Sequence, residues 1–452
     1  MANQLYDDKF FYAERHRLLA HDGPITTGQR FRLPAAIARG SALGAAPDEP
    51  TQRALAKLAP RHATAARAHM AFYQASLEGT ALVPAHELVQ AAVQIEWLWY
   101  STPFKGFYRD HLAHVLKVTT IALHALDDPA GLLAPLAEKG KAPGRVLAAK
   151  LAAAELGLPV LRQAARRLGV TAAELSSPDF WHEALHQALK IAGLLHDMAY
   201  PALLSGYLRR AAGAADPLSP FGADHAVATA KTLEAIDGTL VGAIFDGDRD
   251  ERLRCRELQP ICEYILEKSH SLQAGANLLH YRRHADRAWR LSPAEAFAIE
   301  WAARAATLHD FDKVWEYAPG QKNAGKAPLT GWLGSAEQLQ AIRPSFRNDP
   351  ASYLLAFADQ VQDFGRLNYL PCSDERDGAR LELCYPCRSV ELETSGGTAR
   401  LSWSYGPYEK PFGVPDEKQE LELKRKRKDA ELIFGKKGWL DHRGLFEEVI
   451  VG

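Results

Sequence analysis

Apolar residues recur at intervals of three and four through residues 51–345, which is the spacing of one face of an α-helix. The pattern is clearest in six stretches that we predict to be helices: 84–100, 109–126, 145–168, 182–196, 257–283 and 293–308. Ser177, Ser292 and Asn348 stand one or two positions before prolines at predicted helix starts, where a capping side chain and an early proline suit the first turn.

Residues 1–50 mix aromatic residues, glycine and proline without a clear period, and we expect an arm or a loosely packed cap there. After about residue 366 the period changes to two, because apolar and polar residues alternate around 380–385, 389–394 and 399–405. Such alternation is typical of half-buried strands. Ser395-Gly-Gly between the last two strands predicts a tight hairpin turn.

These patterns predict a mainly α-helical protein with a small β-containing C-terminal module. The predicted organisation is an N-terminal arm and helical cap over residues 1–100, a helical core over 101–370 and the β-containing module over 371–452. The basic run Lys424–Lys428 falls in a predicted short helix, and we interpret it first as a solvated face.

Composition narrows the class of protein further. The chain of 452 residues carries 54 basic and 55 acidic side chains, so no overall positive field favours nucleic acid. Its apolar runs are interrupted by charges before the roughly 20 residues that a membrane span needs. The N-terminus lacks a signal-peptide pattern, and five cysteines in so long a chain do not form a disulfide scaffold. We therefore expect a cytoplasmic protein without a membrane partner.

Five places along the helical region offer metal-ligand side chains. In chain order these are His111 and His114, the pair His196-Asp197, His270, the pair His309-Asp310, and Asp359 in an otherwise apolar run. Imidazole nitrogen and carboxylate oxygen together suit Mn, Fe, Ni, Mg or Zn. A carboxylate such as Asp359 is costly to bury alone, so we expect it to have a partner, either a metal ion or a salt bridge.

This ordered set resembles the HD superfamily of metal-dependent phosphohydrolases over roughly residues 105–370. The resemblance is carried by Asp-His-Leu-Ala-His114-Val-Leu-Lys117, by Leu-Leu-His196-Asp197-Met-Ala-Tyr-Pro and by Phe-Ala-Asp359-Gln-Val-Gln-Asp-Phe-Gly-Arg366. It implies an HD-type helical bundle, and a primary metal site made by His114, His196, Asp197 and Asp359. It further implies that His270 and His309 complete a second site, with Asp197 bridging the two ions.

The same resemblance implies a phosphatase or phosphodiesterase that uses one or two divalent ions. Two cations about 3.5–4 Å apart can activate water and stabilise both oxygens of an in-line displacement at phosphorus. The substrate class would be a nucleotide or another phosphorylated small molecule. Lys117, Arg109 and Arg366 are candidates to neutralise its phosphate oxygens, Arg366 in a bidentate manner.

Several alternatives stay open at the level of sequence. His225 has the same small-residue surroundings as His270 and competes for its place, as His111 does with His114. The family often has Leu-His-Asn where this chain has Leu-His309-Asp310, which adds an acid near the second site. His196-Asp197 alone would equally suit a capped helix end.

Other chemistry and other functions also stay open. Cys372, Cys384 and Cys387 offer a zinc-like spacing, but no fourth cysteine follows them. Nucleic acid is a less favoured partner than a small molecule, and a homo-oligomer is compatible with the sequence. The alternative functions are a nuclease acting on single-stranded nucleic acid and a non-catalytic module that senses a nucleotide or holds a partner.

Overall fold

A computed structural model describes most of the predicted helical core and parts of both ends. The described residues are 2–19, 76, 111–199, 231–245, 261–262, 264–266, 269–321, 323–325, 329, 332–334, 336–363, 369–371, 381–383, 387–405, 416–436 and 438–451. The chain divides into two compact units. The first unit contains 1–143, 358–438 and 446–452, and the second contains 144–357 and 439–445.

The described part of the chain is mainly helical, as predicted. Its α-helices are α1 (Asp8–Leu19), α2 (His111–Asp127), α3 (Pro143–Ala152), α4 (Pro159–Arg167), α5 (Ala172–Leu175), α6 (Pro178–Leu195), α7 (Ser271–Trp289), α8 (Pro293–Leu308), α9 (Asp312–Trp315), α10 (Ala336–Ile342), α11 (Pro350–Val361) and α12 (Asp416–Phe434). Its strands are β1 (Ala2–Asp7), β2 (Tyr369–Pro371), β3 (Leu381–Leu383), β4 (Cys387–Ser395), β5 (Thr398–Tyr405) and β6 (Glu448–Val451). None of these helices combines the length and the apolar character needed to cross a bilayer.

The helix predicted over 293–308 is confirmed as α8, and its start has the expected cap. The hydroxyl of Ser292 accepts from the backbone N–H of Glu295 at 3.3 Å, while the Glu295 carboxylate accepts from the backbone N–H of Ser292 at 2.8 Å. These reciprocal bonds satisfy two of the N–H groups that every helix start leaves without a partner. The Ser-Pro-x-Glu pattern therefore determines where α8 begins.

The prediction of one helix over 145–168 is wrong, because the structure has α3 and α4 with a break between them. Gly157 has a φ of +91°, a conformation that favours glycine and does not continue a helix. The backbone N–H groups of Gly157 and Leu158 donate to the carbonyls of Arg347 and Asn348 at 2.8 and 2.6 Å. Contacts with a distant segment of the second unit thus replace local helical bonds.

The single helix predicted over 257–283 is also wrong. Helical residues are described at 261–262 and 264–266, but Ser269 and His270 are not helical, and α7 begins at Ser271. The Ser269 hydroxyl accepts from the backbone N–H of Ser271 at 3.1 Å, a local bond that competes with continued helix. His270 therefore stands at the start of a helix and not in the middle of one.

The four-stranded sheet of the first unit has the order β1-β4-β5-β6. Strands β4 and β5 form the predicted antiparallel hairpin, whose turn contains Gly396 and Gly397 at φ values of +55° and +82°. Strand β1 pairs antiparallel with β4, so residues predicted to be part of an arm belong to the sheet. Strand β6 pairs parallel with β5 and was not predicted. The run Lys424–Lys428 lies in α12, which is longer than the predicted short helix.

The core of the second unit is built around α8, which is buried on all sides. Its Trp301 packs edge-to-face against Trp181 of α6, with ring centroids 6.0 Å apart. Arg304, also on α8 and buried, forms an ion pair with Asp349 at 2.7 Å. The Asp349 carboxylate also accepts from the indole N–H of Trp301 at 2.8 Å and from the backbone N–H of Ser352 in α11 at 3.2 Å. This buried network joins α8 to the start of α11.

Helices α7 and α8 cross closely at Gly275. We therefore expect that a larger side chain at this position destabilises the protein. A Cβ atom at Gly275 would lie 2.0 Å from the Thr307 hydroxyl and 2.7 Å from the Ala303 carbonyl. Gly275→Ala gains about 1 kcal/mol of helix propensity, but overpacking costs about 1–3 kcal/mol or more. We expect a net loss of unfolding free energy, measured by urea denaturation.

The Gly275→Ala/Thr307→Ala double variant serves as the control, because it removes the nearer of the two clashing atoms. It should recover part of the lost stability. A Gly275→Ala protein as stable as the unsubstituted chain would contradict the close crossing.

Candidate metal centre

His196 and His309 follow α6 and α8 as their C-terminal caps, and the two rings are held in the same way. The Nδ1 atom of His196 lies 2.8 Å from the Gly193 carbonyl, and that of His309 lies 2.6 Å from the Ala306 carbonyl. The last carbonyls of a helix have no intrahelical donor, so Nδ1–H is the natural donor to them. With the proton on Nδ1, each neutral ring presents a lone pair at Nε2.

These lone pairs converge on Asp197. Its Oδ1 atom lies 3.5 Å from the Nε2 atom of His196 and 3.8 Å from that of His309. His270 joins them, because its Nε2 atom lies 2.9 Å from Asp197 Oδ1 and 3.2 Å from His309 Nε2. All four residues are buried in the second unit. Acceptor atoms gathered out of water repel one another unless a cation or shared protons lie between them.

The separations among these nitrogen and oxygen atoms fit a divalent cation. Two ligand atoms that each lie about 2.1 Å from one ion are about 3.0–3.4 Å apart in octahedral or tetrahedral geometry. The observed separations of 2.9–3.8 Å cover this range. His196, Asp197 and His309 each offer one ligand atom, and these atoms lie within 4.8 Å of one another. Three imidazoles and one carboxylate favour Zn, Fe, Ni or Mn over Mg, which prefers oxygen ligands.

The additional acid Asp310 lies on the Nδ1 side of His270, with Oδ2 at 3.6 Å from that atom. Its carboxylate accepts from the Ser269 hydroxyl at 3.0 Å and from Lys313 at 2.8 Å on both oxygens. Burial raises the pKa of Asp310, but Lys313, His270 and His309 lower it, and the net result is a pKa below the usual value. The negative charge that the sequence predicted near the site is thus present and is paired with Lys313. Neither Ser269 nor Lys313 was predicted, although Lys313 follows Asp310 at ion-pair spacing.

His114 and Asp359 form a second acceptor pair, in the first unit. The Nε2 atom of His114 lies 2.9 Å from Asp359 Oδ1, and its Nδ1 atom contacts the side-chain oxygen of Gln362. A proton on Nδ1 would leave the Nε2 lone pair facing the carboxylate, as in the other cluster. The Asp359 carboxylate thus faces His114, and it also accepts from the side-chain amide of Gln360 at 3.1 Å. That His114 and Asp359 join the centre of the second unit stays a prediction.

The predicted phosphate-binding residues are only partly described. Lys117 is buried in the first unit, where its ammonium group lies 2.7 Å from Asp8 Oδ1 and 5.8 Å from the centroid of the Phe11 ring. Arg109, Arg366 and His225 lie outside the described residues, and the side chain of His111 does too.

The cysteine spacing receives no support as a zinc site. Cys372 and Cys384 lie outside the described residues, whereas Cys387 is buried at the start of β4. Burial and the nearby Asp363 raise the pKa of the Cys387 thiol to about 12.

No protein family, curated protein or solved structure with which we compared the chain matches it. The resemblance to the HD superfamily therefore depends only on the order and spacing of the candidate ligands. Function has to be inferred from the chemistry of these side chains.

Proposed function

We propose that the chain is a metal-dependent phosphohydrolase of the HD type, which hydrolyses a phosphomonoester or phosphodiester bond in a nucleotide-like substrate. The observation that carries the proposal is the convergence of His196 Nε2 and His309 Nε2 on Asp197 Oδ1, with each Nδ1 atom directed at its own helix. Rings held in this way present lone pairs for a cation.

Each residue has a defined part in this proposal. His196, His270 and His309 supply neutral nitrogen ligands, and Asp197 supplies the negative charge that favours a divalent ion. When bound, such an ion lowers the pKa of water and polarises a phosphoryl oxygen, so that hydrolysis proceeds at neutral pH. The burial of all four ligands limits competing water and strengthens electrostatic interactions within the site.

Binding of a phosphorylated substrate requires positive charge. The candidate cationic residues come from the sequence. The ammonium group of Lys117 donates to Asp8 in the structure, so Asp8 would compete with a substrate phosphate for it. Arg109 and Arg366 remain candidates for the same task. A nucleotide or another phosphorylated small molecule is the proposed substrate class.

The test is a product-resolved hydrolysis screen of the full chain with Mn²⁺, Mg²⁺ and Ni²⁺. Substrates are mononucleotides, deoxynucleoside triphosphates, linear and cyclic dinucleotides, guanosine tetraphosphate, and short single-stranded RNA and DNA. Metal-dependent release of product from the small molecules supports the proposal, whereas cleavage of RNA or DNA alone supports a nuclease. Binding without product, from protein that contains metal, favours a sensing module and contradicts the enzyme.

Metal removal should lower the thermal stability of the protein. A cation that binds only the folded state adds about 2.7 kcal/mol at 100 times its dissociation constant. For a unit of this size we expect a rise in Tm on the order of 5–10 °C when Mn²⁺ is returned to chelated protein. Differential scanning calorimetry measures the change.

His309→Ala should abolish this rise in Tm, because it removes a ligand. The control is His280→Ala, which replaces an exposed histidine of α7 and should keep the rise. An equal rise in both variants would place the bound cation elsewhere.

A further inference from the structure

The ring of His270 lies between two carboxylates, unlike the rings of the other two histidines in the cluster. Its Nε2 atom lies 2.9 Å from Asp197 Oδ1, and its Nδ1 atom lies 3.6 Å from Asp310 Oδ2. His196 and His309 end helices and find carbonyl acceptors for Nδ1–H. His270 stands before the first turn of α7, where N–H groups and not carbonyls lack partners. Here a carboxylate, that of Asp310, faces the Nδ1 atom.

Asp310 is itself held in place by three donor contacts. Lys313 donates to both of its oxygens at 2.8 Å, and the Ser269 hydroxyl donates to Oδ2 at 3.0 Å. The carboxylate is largely buried, with 13% of its side chain exposed, whereas the Lys313 side chain is 51% exposed. The ammonium group thus brings one positive charge from the solvent side to a buried acid. The Lys313–Asp310 ion pair therefore adds no net charge next to Asp197.

We infer that Asp310 is a positioning residue for His270, and that Lys313 holds Asp310 in this role. The separation of 3.6 Å exceeds a normal hydrogen bond, so the interaction is mainly electrostatic. A carboxylate facing Nδ1 attracts a proton there and repels a lone pair. Asp197 Oδ1 lies closer to Nε2 and attracts a proton there when no cation is bound. With a cation between Nε2 and Asp197, Asp310 favours the tautomer whose proton is on Nδ1 and whose Nε2 lone pair is directed at the ion. Because it concerns ligand orientation, the inference rests on the metal site of the proposed function.

The effect of losing a residue that positions a metal ligand is known in order of magnitude. Residues that orient metal-ligating histidines typically change metal affinity or activity by about 10–100-fold when they are substituted. Asp310→Asn keeps the size of the side chain but removes the charge that selects the tautomer. Asp310→Glu keeps the charge and should restore part of the affinity. Lys313→Met should cause a smaller loss in the same direction, because the carboxylate remains.

The experiment measures the Mn²⁺ dissociation constant of the full chain by electron paramagnetic resonance. It also records nitrogen NMR spectra of the histidine rings in zinc-loaded protein. We expect Asp310→Asn to weaken Mn²⁺ binding about 10–100-fold and to disturb the Nδ1–H signal of His270. The control is Lys141→Met, since Lys141 pairs with Glu138 at 2.9 Å with the same spacing of three residues. A purely structural ion pair would not change the ring tautomer.

The outcomes separate this inference from the proposed function. Unchanged Mn²⁺ affinity and an unchanged His270 signal in Asp310→Asn overturn the positioning role and leave the hydrolase intact. Mn²⁺ binding that depends on Asp310, in a chain that hydrolyses none of the screened substrates, overturns only the hydrolase. If the unsubstituted chain binds no metal ion, both are wrong.

Discussion

Replacing Asp197 with asparagine should abolish metal-dependent hydrolysis while leaving the chain folded. The Asp197 Oδ1 atom lies 2.9, 3.5 and 3.8 Å from the Nε2 atoms of His270, His196 and His309. This one carboxylate oxygen therefore approaches all three rings. Asparagine keeps the shape and one acceptor but lacks the charge that attracts a divalent ion. Mutation of a residue that only orients a metal ligand lowers metal affinity or activity by about 10–100-fold. Asp197 is itself a proposed ligand, so we expect kcat/KM to fall by at least about 100-fold.

The measurement compares kcat/KM of the two proteins on whichever substrate the screen identifies, with metal content determined for each sample. The matched control is Asp179→Asn, which removes a carboxylate whose side chain is 85% exposed and which pairs with Arg145 on the surface of the second unit. The control should keep full activity. Full activity in Asp197→Asn would remove this residue, and with it the proposed centre, from the reaction.

Asp349→Ala should lower the unfolding free energy of the second unit by about 3–5 kcal/mol, the usual effect of removing one partner of a buried ion pair. The substitution leaves Arg304, which is 2% exposed, without its carboxylate. It also removes the acceptor for the Trp301 indole and for the backbone N–H of Ser352 in the first turn of α11. The loss combines an uncompensated buried charge with a lost helix cap.

Urea denaturation followed by tryptophan fluorescence measures this loss, because Trp301 lies within the network. Asp349→Asn is the control, since its side-chain oxygen can still accept from one donor and cap the helix. We expect the asparagine variant to lie between the alanine variant and the unsubstituted chain. A loss below about 1 kcal/mol for Asp349→Ala would mean that Arg304 is stabilised by its carbonyl contacts with Leu240 and Ala341 alone.

Local signals predicted the structure where the physical cause is local. Ser292, Pro293 and Glu295 lie within four residues and determine the start of α8, so sequence alone was sufficient. The break at Gly157 depends on carbonyls of Arg347 and Asn348, nearly two hundred residues away, and no local pattern contains that information. Strand β1 was missed for the same reason, because its alternation is weak and its partner β4 lies at the other end of the chain.

For the candidate site, sequence identified the residue types but not their orientation. The order of His196-Asp197, His270 and His309 drew attention to residues that the structure brings together, although their role as ligands stays a prediction. The direction of each Nδ1 atom depends on where a helix ends, to within one residue. Boundaries are the least certain part of a sequence-based prediction. The pairing of Asp310 with Ser269 spans 41 positions and could not be foreseen, whereas the spacing of Asp310 and Lys313 was a local signal that the sequence analysis missed.

The position of β1 also has a consequence for synthesis on the ribosome. Asn3 of β1 bonds to Glu391 of β4 across a separation of 388 positions. At about 5–20 residues per second, the first strand emerges roughly 20–80 s before its partner exists. Most of the helical second unit has been synthesised by then, whereas the sheet can close only after β4 has been made. Nascent chains stalled before β4 should therefore expose β1 to chaperones and proteases.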